Sequence, residues 1–151
     1  MIFLNKQRKI KIMLFPKKVK FRKWQTARKN PNKIHVATRG NSLAFGSFGL
    51  RAMTGARINS KQIEAARKTI SREIKKVGKM WIRIFPDRPF TNKPAEVGMG
   101  KGKGDPQGYC FEVNPGRILF ELDGLSEEIA KNTFRKAGAK LPIKTKVVSR
   151  V

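Results

Sequence analysis

The chain has 151 residues, of which 35 are Lys or Arg and 10 are Asp or Glu, so its formal net charge is +25. This length suits one domain with one core. The single cysteine, Cys110, excludes an internal disulfide and a cysteine-based zinc site, and no apolar run is long enough to span a bilayer.

The positive charge is concentrated at the start of the chain. No acidic residue precedes Glu64, and the first 63 residues carry 16 Lys and Arg. Like charges oppose the compact state of an isolated domain, and a polyanion removes that penalty. Nucleic acid is therefore the expected partner. An anionic membrane also attracts basic residues, but a membrane protein would require a basic amphipathic anchor or a spanning helix. The longest apolar runs are only a few residues, so no membrane partner is expected.

Residues 1–12 are interpreted as a basic extension and residues 13–33 as an arm. Lys and Arg alternate in the arm with single aromatic residues, namely Phe15, Phe21 and Trp24. Blocks of like charge are commonly disordered tails, whereas interspersed aromatics suit stacking on nucleotides. We expect an arm that becomes ordered on RNA, with a disordered tail as the alternative.

Short strands are predicted over His35–Arg39 and Leu43–Met53. The second contains Gly46 and Gly49 beside Phe45 and Phe48. Glycine inside a strand indicates a bulge or the close approach of another backbone. The two interpretations are a strained core strand and an RNA backbone that passes over the glycines.

The clearest helix spans Asn59–Gly78, with Asn59 or Ser60 as its cap and Gly78 at its end. Its inner face is predicted to contain Ile63, Ala66, Ile70, Ile74 and Val77. The opposite face is basic and contains Lys61, Lys68, Arg72, Lys75, Lys76 and Lys79. Such a face is usually solvated. Here Glu64 is the only acid near its centre, which favours an anion contact.

The next segments alternate between strands and loops. WIRIF (Trp81–Phe85) predicts a strand, and the turn dipeptides in Pro86–Pro94 predict a loop. GMGKGKG (Gly98–Gly104) predicts a flexible loop. Strands follow over Tyr109–Val113 and Arg117–Leu122, joined by a type II turn at Asn114-Pro115-Gly116.

A second helix is predicted from its Ser126 cap to Leu141, where Pro142 ends it. Its inner face is predicted to contain Ile129, Thr133, Phe134, Ala137 and Leu141. A last strand is predicted over Ile143–Val148. Two helices mixed with strands, without regular βαβ alternation, predict an α+β fold in which both helices pack on a mixed or antiparallel sheet.

The residues do not form a catalytic or cofactor-binding pattern. His35, the only histidine, has no acid near it in sequence, and Cys110 lies mid-strand as a small hydrophobe. The glycine-lysine loop lacks both G-x-x-x-x-G-K-[ST] and G-x-G-x-x-G, and no helix follows it. No catalytic residue, metal or cofactor is therefore predicted.

Seven segments, read in order, resemble the bacterial-type large-subunit ribosomal protein L sixteen family. They are MLFPKKVKFRKW, FGSFGLRAM, QIEAARKTISR, GKMWIRIFPDRPFTNKP, MGKGKG, PGRILFELDG and AGAKLPIKTK, which lie between Met13 and Lys146. The resemblance extends over about Met13 to Arg150, so residues 1–12 form an extension. Any one segment is a weak indication, but seven in the same order are highly specific.

The resemblance implies a structural constituent of the large ribosomal subunit, which binds rRNA and contacts tRNA in the A site, with the P site as a further candidate. It implies a fold of two helices on a sheet, an arm (13–33) that enters rRNA and an α+β rRNA-binding domain (34–151). The residues expected to bind rRNA are Lys17, Lys18, Lys20, Phe21, Arg22, Lys23, Trp24, Arg51, Lys68, Arg72, Lys75 and Lys76. The loop expected to reach tRNA or rRNA consists of Met99, Gly100, Lys101, Gly102, Lys103 and Gly104.

One departure from the family concerns a modification. Some members carry an arginine, hydroxylated in some bacteria, immediately before MGKGKG, and this chain has Gly98 there. That modification is not carried over. The resemblance places the protein on a cytoplasmic ribosome, with an organellar ribosome as the alternative. The rival function is a standalone basic RNA-binding or RNA-chaperone module.

Overall fold

Two antiparallel sheets and two helices make up the structured part of the chain. The computed structural model describes residues 14–26, 35–74 and 77–150. Within those ranges the elements are β1 Phe48–Ala52, β2 Ala56–Asn59, α1 Ser60–Ile74, β3 Lys79–Ile82, β4 Arg88–Asn92, β5 Asp105–Val113, β6 Ile118–Asp123, α2 Glu127–Gly138 and β7 Thr145–Ser149. The predicted α+β class is confirmed.

The strands divide into sheet A, in the order β3-β6-β1-β7, and sheet B, in the order β2-β5-β4. β5 and β6 are consecutive in the chain but belong to different sheets. The predicted turn between them is present: Arg117 N donates to Asn114 O at 3.3 Å, and Gly116 has a φ of +94°. That positive φ is what a type II turn requires of its third residue. This turn therefore carries the chain from one sheet to the other.

Helix α1 buries the apolar face that its sequence predicts. Ile63, Ala66 and Ile70 are fully buried and Ile74 is nearly so, all in one core with residues of both sheets. Asn59 immediately precedes the helix, and its N–H donates to the Gln62 side chain at 2.9 Å, which satisfies a backbone donor that the helix cannot. The predicted face was wrong at one end, because the helix is described only to Ile74 and Val77 is 78% exposed.

Helix α2 is rotated relative to its predicted inner face. Thr133, Phe134 and Ala137 are buried as expected, but Ile129 is 49% exposed and Ala130 is buried in its place. The helix also ends at Gly138, before Leu141. Its inner side lies close against α1, β1 and β7, where the small Ala130 fits. The prediction of a buried Ile129 was therefore wrong.

Two segments, His35–Arg39 and Pro86–Pro94, differ from their predicted structure. His35–Arg39 is irregular and not a strand, since Ala37 N bonds only a turn carbonyl, that of Pro115, at 2.8 Å. Pro86–Pro94 contains β4 and is not simply a loop. β4 is the edge of sheet B, where Pro89 can lie because an edge strand leaves some of its N–H positions without a ladder partner.

The remaining predicted strands are present with shifted ends. β1 begins at Phe48, so residues 43–47 are irregular, and β3 ends at Ile82 although Arg83 N still donates to Leu119 O at 2.9 Å. β5 is longer than predicted and begins at Asp105. A bulge occurs between Leu50 and Arg51, where β6 contributes the extra residue Leu119.

A buried carboxylate ties the irregular segment 43–47 to sheet A. Glu121 of β6 is fully buried and accepts N–H bonds from Ala44, Phe45 and Gly46 at 2.7–3.3 Å, together with a 2.6 Å bond from Arg83 Nη1. Burial raises the pKa of Glu121, but the backbone donors and the Arg83 charge outweigh burial, so the pKa lies below its usual value.

Gly46, within this segment, and Gly49 of β1 are both buried. A Cβ on Gly46 would lie 2.5 Å from the Leu122 carbonyl oxygen, and one on Gly49 would lie 2.3 Å from Leu43 Cδ2. The protein itself therefore fills the space beside both glycines, as the core-strand interpretation requires, and leaves no path there for an RNA backbone.

The two sides of α2 provide a matched test of the core. We expect Phe134→Ala to reduce the free energy of unfolding by about 3–5 kcal/mol, because it empties a fully buried site. Ile129→Ala on the same helix should cost about 1 kcal/mol or less. Urea denaturation of both variants checks this, and equal losses would contradict the observed rotation of α2.

Replacing Glu121 should destabilise the fold in a pH-dependent way. Glu121→Gln should cost about 3 kcal/mol at pH 7, because it removes the charge that satisfies Arg83 and three backbone donors. Since the folded pKa lies below the usual 4.5, this contribution is complete above pH 4.5 and disappears as the pH falls through the folded pKa. The difference in the free energy of unfolding between wild type and variant should therefore become smaller on acidification. Glu128→Gln, at an exposed site on α2, is the control. A stability difference between wild type and Glu121→Gln that does not change with pH would contradict the lowered pKa of Glu121.

Candidate nucleic-acid interface

The described part of the arm, residues 14–26, lies on the surface with its basic side chains outward. Lys17, Lys18, Lys20 and Arg22 are all exposed. Phe21 is 59% exposed, with Lys20 Nζ 5.4 Å from its ring centroid. The remainder of the predicted arm and the basic extension (1–12) lie outside the described residues. The arm thus presents charge and an aromatic face together, as nucleotide stacking requires.

The end of the described arm is attached to sheet B through Arg88 of β4. Arg88 Nη2 donates to the Gln25 carbonyl at 3.0 Å, and its guanidinium lies 5.7 Å from the centroid of the Trp24 ring. Glu112 of β5 fixes this arginine with a 2.7 Å bond from Nη1 and also lies 3.7 Å from Arg57 Nε. Trp24 is therefore packed against the domain, so one face of its ring is already occupied.

The glycine-lysine loop has an unusual backbone. Gly100, Lys101 and Gly102 all have positive φ angles, of 87°, 52° and 90°. Among the described residues Lys101 is the only residue other than glycine in that region, which costs about 1–2 kcal/mol. Met99 is fully exposed, as expected for a loop without core contacts. Such strain is typical of functional loops.

The arm and the loop contact each other, although almost 80 residues separate them in sequence. Lys103 Nζ donates to the Trp24 carbonyl, and Lys23 Nζ donates to the Lys103 carbonyl at 3.1 Å. Lys23 also lies 3.8 Å from Asp105 at the start of β5. Lys93 donates to the Gly100 carbonyl. The two predicted sites therefore form one surface, which we call the arm–loop surface (residues 14–26 and 98–105).

The other predicted rRNA-binding residues lie elsewhere. Lys68 and Arg72 are exposed on α1, one turn apart, whereas Lys75 and Lys76 lie outside the described residues. Arg51 of β1 points away from the helices, because its neighbours Leu50 and Ala52 are buried in the core. The α1 residues and Arg51 are therefore on opposite sides of sheet A.

Glu64 interacts unequally with its basic neighbours on α1. Arg67 binds both of its oxygens at 2.7 and 2.8 Å, whereas Lys68 lies 4.0 Å away. The bond from Arg67 lowers the pKa of Glu64 despite partial burial. Sequence analysis missed Arg67 as the partner, although its i,i+3 spacing could have indicated it.

The described residues do not assemble the groups that catalysis needs. His35 is exposed and Cys110 is buried, and burial raises the pKa of the Cys110 thiol. No group of three or more His, Cys, Asp or Glu lies together within residues 14–26, 35–74 and 77–150. In the same ranges, no helix has the length and apolar character needed to cross a membrane.

Sequence analysis also missed the residues that support these surfaces. Arg88 and Glu112 were assigned to a loop and a strand without a role, yet they hold the arm. Arg83 and Glu121 hold segment 43–47. The sequence did contain a signal for the Arg83–Glu121 pair. Glu121 is the only acid in an apolar predicted strand of a very basic chain, and a buried carboxylate needs a partner.

Comparisons with known proteins agree with the sequence resemblance. The family model described as ribosomal protein L16p/L10e matches residues 5–148. The chain is also 54% identical over 138 residues to the large ribosomal subunit protein uL16 of Halorhodospira halophila (strain DSM 244 / SL1), an alignment that covers 91% of this chain and 98% of the relative. A match of this extent includes both the domain and the arm–loop surface. The chain therefore belongs to the ribosomal protein L16p/L10e family.

Proposed function

We propose that this protein is a structural constituent of the large ribosomal subunit, which binds rRNA through its arm and contacts A-site tRNA through its glycine-lysine loop, with P-site tRNA as a further candidate. We propose no catalytic role. The arm–loop surface is the observation that carries the proposal, because it joins two basic segments, one of them an exposed strained loop, on one side of the domain. The family and the uL16 relative support the ribosomal assignment.

The arm has the features of an rRNA contact. Four exposed cationic side chains lie within six residues, and the Asp105 carboxylate lies 3.8 Å from a fifth cation, Lys23. Phosphates that approach Lys17, Lys18, Lys20 and Arg22 would release counterions, which is the main source of affinity for nucleic acid. Phe21 adds an exposed ring for a base, whereas Trp24 is held by Arg88 and positions the arm.

The two lysines of the loop have different proposed roles. Lys103 bonds the Trp24 carbonyl and so links the loop to the arm. Lys101, at the exposed tip between two glycines, is the better placed to meet a phosphate of tRNA. A lysine ammonium can act there as a point charge without a fixed side-chain geometry.

The arm proposal is tested by the salt dependence of binding. Replacing Lys17, Lys18, Lys20 and Arg22 with Gln should reduce the log–log salt slope for a large-subunit rRNA transcript by about 3, since each neutralised phosphate contributes roughly 0.7–0.9. The replacement keeps Leu14, which packs on the core, and Trp24 in place. Filter binding from 50 to 300 mM KCl, about the range over which such slopes develop, gives the measurement.

The matched control removes four exposed charges near α2, those of Lys131, Arg135, Lys140 and Lys144. Its salt slope should change by less than 1, roughly one phosphate contact. If both variants flatten the slope equally, the arm is not a specific contact. Comigration of the wild-type protein with the large subunit at high salt distinguishes a ribosomal constituent from a standalone RNA-binding or chaperone module.

The loop proposal is tested on ribosomes that carry single variants. Lys101→Ala should weaken A-site tRNA binding about 2- to 5-fold, since an exposed ion pair is worth at most about 1 kcal/mol, and should leave subunit incorporation intact. Lys103→Ala should in addition alter protection of the arm from protease, because it removes the bond to Trp24. Lys140→Ala is the control. Failure of the Lys101 variant to enter the subunit, with normal tRNA binding on assembled ribosomes, would make the loop an assembly element.

A further inference from the structure

An exposed aromatic stack lies on sheet A, outside the residues of the arm–loop surface. The rings of Phe45 and Trp81 are 6.0 Å apart and inclined by only 18°. The Arg83 guanidinium lies 4.9 Å from the Phe45 ring centroid. Phe45 is nevertheless 58% exposed, so much of its ring faces outward. Both aromatic residues lie on the side of the sheet opposite the helices, because Trp81 pairs with Glu121 and not with a core residue.

Phe45 is held in this position by several strong bonds. Its own N–H, with those of Ala44 and Gly46, donates to the buried Glu121 carboxylate, and Arg83 bonds the same carboxylate at 2.6 Å. Charge-assisted bonds of this kind fix geometry well. A ring that is already held in place loses little conformational freedom when a partner stacks on it, so this support favours binding at Phe45.

The charge around the stack favours a polyanion as its partner. Arg117 bonds the backbone carbonyls of both Arg39 and Arg83, at 2.7 and 3.4 Å, so the backbone of the exposed Arg39 lies near that of Arg83. Lys79 precedes Trp81 by two residues on the same side of β3 and is exposed. Two acids lie on this side: Glu121 is buried with Arg83, and Asp123 accepts a bond from Ser47 and lies opposite Lys79 across the strand pair.

We propose that Phe45, supported by Trp81 and Arg83, is a stacking platform for an unpaired nucleobase of RNA. Arg39 and Lys79 lie beside it as contacts for the adjoining phosphates. The exposed part of the Phe45 ring is the surface offered to a base, and a planar aromatic face accepts any base. The proposal rests on the RNA-binding function proposed above and adds a second contact, on sheet A.

The site can be observed through Trp81. The chain has two tryptophans, so Trp24→Phe leaves Trp81 as the only one and reports on the stack alone. A 12-nucleotide oligoadenylate should change Trp81 emission on binding, because a base joins the stack. Inorganic polyphosphate of matched charge should bind without that change. Equal responses to the two polyanions would overturn the proposal, because charge alone would then account for binding.

Variants at Phe45 give an independent measurement on the full chain. Phe45→Ala and Phe45→Leu should weaken binding of a large-subunit rRNA transcript about 5- to 150-fold, the value of one base–aromatic stack, and leave the salt slope unchanged since no charge is lost. Phe45→Tyr should bind as wild type does. Ile129→Ala, another half-exposed apolar residue, is the matched control.

The outcomes separate the two proposals. If wild type binds the transcript and all three Phe45 variants bind equally well, the platform is wrong and the arm proposal stands, with a protein neighbour as the alternative occupant. If the leucine variant, which keeps apolar cover over Trp81, loses affinity while tyrosine retains it, the loss is due to stacking and not to misfolding. If wild type binds no RNA, both proposals fail.

Discussion

The small number of carboxylates is the constraint on which this structure depends. Ten acidic side chains accompany 35 basic ones, so few cations can have a carboxylate partner. Glu121 bonds segment 43–47 and Arg83, Glu112 bonds Arg88 beside Arg57, and Glu73 joins α1 to Lys136 of α2 at 2.9 Å. Each of these acids joins separate elements. The cations that remain without such partners lie mostly on the surface, where their repulsion is screened by water or by a bound polyanion.

These ties also create the candidate binding surfaces. Because Glu112 orients Arg88, the Trp24 ring and the Gln25 carbonyl have a fixed place on sheet B, and the arm begins from a defined point. Because Glu121 gathers the amides of segment 43–47, Phe45 faces outward. Both acids therefore act as positioning residues for groups that face solvent. Loss of either carboxylate would therefore disturb a surface as well as the fold.

The sequence predicted elements well where apolar spacing decided the outcome. The α1 face from Ile63 to Ile74 is regular and large, so burial follows the pattern. In α2 the choice between Ile129 and Ala130 depends on the space left by α1, and hydrophobicity alone favours the wrong residue. β4 was missed because Pro89 and its flanking dipeptides are typical of turns. Only its position at the edge of sheet B, a tertiary fact, makes that proline acceptable.

The candidate site was predictable in residue type but not in arrangement. Charge and composition selected the arm and the loop separately, and no local pattern indicates that Lys103 bonds the Trp24 carbonyl or that Lys23 bonds the Lys103 carbonyl. Such pairings depend on the tertiary structure, which brings the arm beside the start of β5. Their consequence is physical: a loop with three successive positive φ angles is costly to hold in one conformation, and its bonds to the arm reduce the number of states it must lose on binding. An RNA that orders the arm would therefore also favour an ordered loop, and the rRNA binding proposed for the arm would then be coupled to the conformation of Lys101.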